Sequence, residues 1–177
     1  MQNDNQRYLR TLIGGRSRNA GEAFERLIDA GCNYYRNIGF ANIEKTPEPM
    51  RPLKSLGGGK FLAVFSKAAQ PDYKGTLTGG RSIVFEAKHT DTGKITFDRL
   101  SDEQLMQLRF HAELGAKVFV VCSFRFERFA AIPFDKWERM KEVYGRKYIT
   151  ANDIGNDEVF LVKGYLDFLI TLGDLRG

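Results

Sequence analysis

The chain has 177 residues, 42% of them hydrophobic and 12% aromatic, which is enough apolar material to bury the core of one domain and argues against general disorder. Its 27 Lys and Arg against 22 Asp and Glu give a formal charge of +5, an excess that permits a polyanionic partner without demanding one. Two cysteines and two histidines exclude a disulfide framework and a His- or Cys-rich zinc site, and Cys32 and Cys122 each lie in an apolar pattern that reads as core packing.

Residues 1–18 read as a basic, flexible N-terminal arm in which Arg7, Arg10, Arg16 and Arg18 accompany Gly14 and Gly15. The opening MQNDNQRYLR lacks the apolar centre of a signal peptide, and no apolar run approaches the roughly 20 residues of a spanning helix. A cytoplasmic protein with no membrane partner is expected. Residues 19–177 read as a single α/β domain. From about Ala20 to Ile38 the apolar positions Phe24, Leu27, Ile28, Tyr35 and Ile38 follow helical spacing, with Asn19 as N-cap and Gly39 at the C-terminal end. Glu25 stands beside that stripe, pointing along the core edge into a cleft or out into solvent.

Phe40 to Lys45 is a short strand. Pro47, Pro49 and Pro52 then disfavour regular structure, and Gly57, Gly58 and Gly59 allow a reversal, so 46–70 reads as a basic, proline-stiffened, protruding excursion carrying Arg51, Lys54, Lys60 and Lys67. A second strand, RSIVFEAK, follows a Thr78-Gly79-Gly80 turn. Alternation along a half-buried strand sends Ile83, Phe85 and Ala87 to the core and sets Val84, Glu86 and Lys88 on the opposite side. Folding the segment from Tyr73 to Leu77 back along it brings Asp72 to the same end.

Two carboxylates and a lysine then converge. Two oxygen donors suit a hard cation such as Mg²⁺, which takes its remaining oxygens from water and phosphate. A lysine beside them orients or helps deprotonate a water during phosphodiester hydrolysis. This is the PD-(D/E)XK nuclease pattern. Taken alone, Glu-x-Lys is weak, because exposed strands often carry paired opposite charges; the preceding Pro-Asp and the glycine turn strengthen it. His89, next along the strand, is expected to face away from Glu86, either supporting the site residues from behind or in a structural role.

Further on, His89 to Arg99 reads as a polar connection, and Ser101 as the cap of a helix ending near Leu114, with Leu105, Leu108 and Ala112 inward and Gln104 one turn from its start. Lys117 to Phe124 is apolar enough for a central strand covered on both faces. Arg125 to Ile132 returns beside it, Phe134 to Val143 is a short helix carrying Trp137, Tyr148 to Asp153 is a connection, and Val159 to Leu172 closes the core.

The sequence GEAFERLIDAGCNYYRNIGFANIEKTPEP, then PDYKG, FEAKHT, Gln104 on its helix, KVFVVCSF and GYLDFL resembles, in order and spacing, the RecU family of Holliday junction resolvases over about Asn19 to Leu172. The resemblance implies a restriction-endonuclease-like mixed central sheet flanked by helices, with a protruding stalk. It implies a homodimeric endodeoxyribonuclease, dependent on Mg²⁺ with Mn²⁺ as an alternative, that resolves four-way junctions by paired symmetric nicks in recombination and repair. A branch-migration helicase or recombinase is the further partner it suggests. By position, Asp72 and Glu86 match the metal-binding acids, Lys88 the catalytic lysine, Glu25 the first-helix acid and Gln104 the helix glutamine. Arg16, Arg18, Arg51, Lys54, Lys60, Lys67 and Lys74 are the expected DNA contacts. The shortened stalk and tail fit a compact, phage-encoded member, and Glu103 replaces a histidine often found before the glutamine. Two other readings stay open: a nuclease of this fold acting on other branched or duplex DNA, and an inert DNA-binding recombination protein.

Overall fold

The computed structural model describes residues 18–47, 49–65 and 70–171. The 1–18 arm, apart from the backbone of Arg18, and the basic positions Arg16 and Lys67 lie outside them. The first helix, α1 (Arg18–Asn37), is followed by β1 (Ala41–Lys45), β2 (Met50–Gly57), β3 (Lys60–Phe65), β4 (Tyr73–Leu77), β5 (Ser82–Thr90) and β6 (Lys94–Thr96). Then come α2 (Asp102–Glu113), β7 (Lys117–Phe124), β8 (Arg128–Pro133), α3 (Phe134–Glu138), α4 (Met140–Tyr144) and β9 (Tyr148–Thr150). The chain closes through β10 (Glu158–Val159), β11 (Leu161–Val162), β12 (Tyr165–Leu166) and α5 (Phe168–Thr171).

Six strands form one mixed sheet in the order β1-β4-β5-β7-β8-β10. Only β5 and β7 run parallel within it; the other pairs are antiparallel. A parallel pair needs a crossover, and α2 supplies it while covering one face. On the opposite face α1 lays Phe24, Leu27, Ile28 and Tyr35 against Ile83, Phe85, Phe119 and Val121. The α2 face packs Leu105, Leu108, Trp137 and Met140 on Val84, Val120, Cys122 and Ile132. Both cysteines are buried and free, as expected for core thiols.

This two-sided cover corrects the reading of β5 as half-buried: Ile83, Val84, Phe85 and Glu86 are all buried. Ring stacking continues across three strands, with Tyr73 and Phe119 each 4.7 Å from Phe85. Asn19 lies within the helical backbone of α1, so it does not cap it, since a capping residue is non-helical. Gly39 does end the helix, at φ 71°. The N–H groups of Gly39 and Phe40 donate to the carbonyls of Arg36 and Tyr35, the Schellman pattern. Ile38 and Ala112, both expected inside, are exposed.

Residues 50–65 form an antiparallel hairpin with two register shifts, where an excursion without regular structure was expected. Gly58 and Gly59 have φ values of 58° and 75°, those of a type I′ turn, which matches strand twist. Pro52 is accommodated where the register shifts, Leu53 being skipped between Pro52 and Lys54. All of β2 is exposed, as are 60–64 of β3, so the hairpin projects and adds nothing to either core layer. Two supposed connections also carry strands: β6 and β9 pair as a small antiparallel sheet beside the main one. The expected helix over Phe134 to Val143 is broken into α3 and α4 at Arg139, and the chain end is short strands followed by α5. Among the described residues no helix is long and apolar enough to cross a membrane.

Close approach of β1 and β4 requires Gly75. A Cβ there would overlap the Asn42 carbonyl oxygen and come within 2.7 Å of Ile43 Cα, both backbone atoms. Gly75→Ala is therefore expected to lower unfolding free energy by about 1–3 kcal/mol. Gly21→Ala, at an open helical position with nothing within 4 Å, should leave stability unchanged or raise it by up to about 1 kcal/mol. Denaturant unfolding of both variants checks this; equal midpoints would contradict the packing argument.

Candidate active site

The turn between β4 and β5 is tight: Gly79 and Gly80 have φ near 86° and 87°, and the Leu77 N–H donates to the Arg81 carbonyl at 2.8 Å. Register follows from it. Tyr73 pairs with Phe85, so the next residues outward, Asp72 and Glu86, adjoin on the α2 face. Asp72 Oδ2 accepts the Ala87 N–H at 2.9 Å, which ties the first acid to the strand bearing the second. Lys88, two residues past Glu86 on the same face, places Nζ 2.9 Å from Glu86 Oε2 and 4.0 Å from Asp72 Oδ2.

Gln104 arrives from α2. Ser101 and Gln104 form a reciprocal capping box: Ser101 Oγ accepts the Gln104 N–H and Gln104 Oε1 accepts the Ser101 N–H, each at 3.2 Å. Because the amide oxygen is committed to the cap, Nε2 is presented to the sheet, and it donates to Glu86 Oε2 at 2.6 Å. One residue both starts the helix and fixes the acid.

Glu86 is fully buried. Burial pushes its carboxyl up to about 8, with the Lys88 charge opposing that rise and Asp72 adding to it. Oε2 takes both donors, while Oε1 is buried with no hydrogen-bond partner. A buried lone oxygen beside a second carboxylate is a donor set that a proton or a hard cation would complete. Among the described residues no group of three or more His, Cys, Asp or Glu side chains is placed to hold a metal. An ion here would take two protein carboxylates and fill its other positions with water or phosphate oxygens, as Mg²⁺ prefers.

Glu25 is not brought against this pair. Its Oε2 sits 2.6 Å from Lys45 Nζ, on the α1 face of the sheet, and the Tyr73 hydroxyl donates to the neighbouring Asp29 at 2.9 Å. The Lys45 ammonium feels Glu25, Asp29 and Asp72 together, so it is the link between the helix acids and the site. Sequence reasoning passed over Lys45: it ends the expected first strand, but its place opposite Tyr73 follows only from the pairing of β1 with β4. His89 faces the α1 side, bonded to Ser123 and Asp91 at 3.0 Å each and packed on Phe126.

Arg51, Lys54 and Lys60 are exposed along the hairpin. Thr46, four residues before β2, donates its N–H to the Asp72 carbonyl at 2.8 Å, which ties the end of β1 to the first acid. Lys74 lies on β4 and bonds Gln70 at 3.0 Å, and Arg18 is described only as the first helical residue of α1.

Over 77 residues the chain is 36% identical to the Holliday junction resolvase RecU of Streptococcus pneumoniae strain Hungary19A-6, covering 41% of this chain and 38% of that protein. The Streptococcus sanguinis strain SK36 protein of the same name matches with the same identity and coverage. The chain thus spans 38% of the length of the curated relatives it matches. Archaeoglobus fulgidus Hjc, a Holliday junction resolvase from an archaeal hyperthermophile, overlays with a TM-score of 0.48 at 17% identity, over 85% of this chain and 99% of that one. The family model for Recombination protein U matches residues 19–173, nearly the whole chain, which therefore belongs to the RecU family.

Proposed function

We propose that this RecU-family chain is a divalent-metal-dependent endonuclease that cuts four-way DNA junctions during recombination and repair, acting as a homodimer so that two sites make paired, symmetric nicks. The observation that carries the reading is Glu86: a buried acid with one oxygen held by Lys88 and Gln104 and the other unpartnered, at the root of an exposed basic hairpin. An inert DNA-binding protein has no use for so costly an arrangement.

Each residue has a role in the hydrolysis. Asp72 and Glu86 hold the ion, Mg²⁺ or alternatively Mn²⁺, which supplies Lewis acidity at the phosphorus when bound. Asp72 is fixed by the Ala87 N–H and Glu86 by Gln104, so both oxygens are oriented before substrate arrives. Lys88 brings a cation to the side where charge develops and orients the attacking water. The water oxygen forms a bond to phosphorus as the bond to the 3′ oxygen breaks; the water's proton is lost to bulk solvent, which also protonates the leaving 3′ oxygen, so that a 5′ phosphate and a 3′ hydroxyl remain. Glu25 acts through Lys45 as a positioning group. The hairpin cations Arg51, Lys54 and Lys60, with Lys74 nearer the acids, grip phosphates and favour branched over plain duplex DNA.

Competition between a mobile four-way substrate and linear duplex tests the reading in one reaction. The unmutated protein should cut the junction preferentially with Mg²⁺, whereas Asp72→Asn and Glu86→Gln should bind it and cut at least ~10²-fold more slowly. Replacing 50–65 by a short linker should leave cutting but abolish the preference. Binding without cutting by the unmutated protein would overturn the nuclease reading, and an unchanged preference in the deletion would move the substrate to duplex or other branched DNA.

A second expectation concerns pH without divalent ions. The folded state keeps the Glu86 proton to about pH 8, while the unfolded chain releases it near the ordinary Glu value of about 4.3. The folded state binds more protons at Glu86 across that window, so the stability this group contributes is fully present below it and is lost as pH rises to about 8. Glu86→Gln should remove this loss, gaining on the order of a few kcal/mol over the unmutated protein at pH 9 relative to pH 5. Paired urea titrations at the two pH values measure it; parallel pH dependence in both proteins would contradict the assignment.

A further inference from the structure

A cleft of about 560 Å³ opens at the C-terminal end of β5, beginning at Lys88 and running past Thr90 to β6 and Arg99. Its lining starts at the residues that follow Glu86 on β5 and includes no residue of the hairpin. Its wall is polar and cationic. The single carboxylate on that wall, Asp91, is turned onto His89 Nε2 at 3.0 Å, and the turn carrying it is pinned by Arg125, which donates to the Asp91 carbonyl at 3.1 Å.

Lys88 on this wall is paired with Glu86, but the cations beyond it are held without being neutralised. Lys94 Nζ lies 5.4 Å over the Tyr148 ring; Lys147, just before β9 and not itself on the cleft wall, has its Nζ 5.6 Å over the Phe97 ring. Arg99 donates only to the His89 carbonyl oxygen, at 3.3 Å. None of the three pairs with a carboxylate among the described residues, whereas Lys45 and Lys88 at the acids do. Aromatic faces position an amine without cancelling its charge. The small β6–β9 sheet therefore presents a row of available positive charge at the open end of the catalytic strand, an arrangement that suits an extended chain of phosphates better than a single anion.

We propose that this cleft is a second phosphate-binding track, in which Lys94 and Arg99 bind backbone phosphates of the DNA strand on the side of the scissile bond opposite the hairpin. The proposal rests on the nuclease reading and adds to it. The acids then sit between two cationic surfaces, one on the projecting hairpin and one in the body of the domain. Contacts of this kind fix register and affinity without reading bases.

The test is a Lys94→Ala/Arg99→Ala double variant, with Lys94→Gln/Arg99→Gln as a second form that keeps side-chain bulk over Tyr148, and Lys141→Ala, an exposed cation on α4, as control. Binding to four-way and linear DNA is measured without divalent ions over a range of salt, and cleavage at saturating junction with Mg²⁺. Both double variants should bind both DNAs about tenfold or more weakly, reduce the slope of log affinity against log salt by about 2, and keep kcat within about twofold. Salt slopes and affinities matching those of the unmutated protein and Lys141→Ala would overturn the track, as would a fall in kcat with affinity unchanged. If the unmutated protein cuts the junction and the variants bind normally, the track alone fails; if the unmutated protein does not cut, the nuclease reading fails and the track with it.

Discussion

Everything at this site depends on one buried carboxylate. Glu86 sits in the central strand of a sheet covered on both faces, where an ionised acid loses its water and must be compensated. The compensation is partial: Lys88 and Gln104 both serve Oε2, and Oε1 is left open. A fold selected for stability alone would place an apolar side chain there. The acid is retained in an environment that raises its pKa and leaves a lone pair free, conditions under which a hard cation is bound by displacing a proton.

The rest of the architecture serves that residue. Parallel pairing of β5 with β7 buries the strand, and the crossover it requires is the segment that contains the small β6 strand and α2. Thus one topological demand delivers Gln104 to Glu86 and lines the cleft beside Lys88. The β4–β5 turn brings Asp72 back to the same point, and the hairpin departs from it. The two acids with Lys88, the projecting basic element and the proposed phosphate track share one end of the sheet because the chain reverses there.

Short-range rules made much of this legible in the sequence. The two-residue alternation put Glu86 and Lys88 on one face, the Thr-Gly-Gly turn returned Asp72 to them, and the Ser101 capping signal placed Gln104 at the start of its helix. The same rules went wrong where tertiary context decides. Alternation assumes one wet face, so it missed that Val84 and Glu86 are as buried as Ile83 and Phe85. Prolines at 47, 49 and 52 argued against a strand, yet Pro47 and Pro49 precede β2 and Pro52 falls at a register shift. The pairing of β6 with β9 joins segments more than fifty residues apart in the chain, and neither has a periodic signal long enough to announce it. Glu25 illustrates a further limit: helical spacing set it at the edge of the core, but its partner, Lys45, is fixed only by the pairing of β1 with β4.

The most direct measurement is calorimetric titration of Mn²⁺ into the unmutated protein, Asp72→Asn and Glu86→Gln, each at pH 7 in two buffers of different ionisation enthalpy. The account predicts binding by the unmutated protein with release of about one proton per site, and loss of both binding and proton release in Glu86→Gln. Equal Mn²⁺ affinity in the unmutated protein and Glu86→Gln would contradict it.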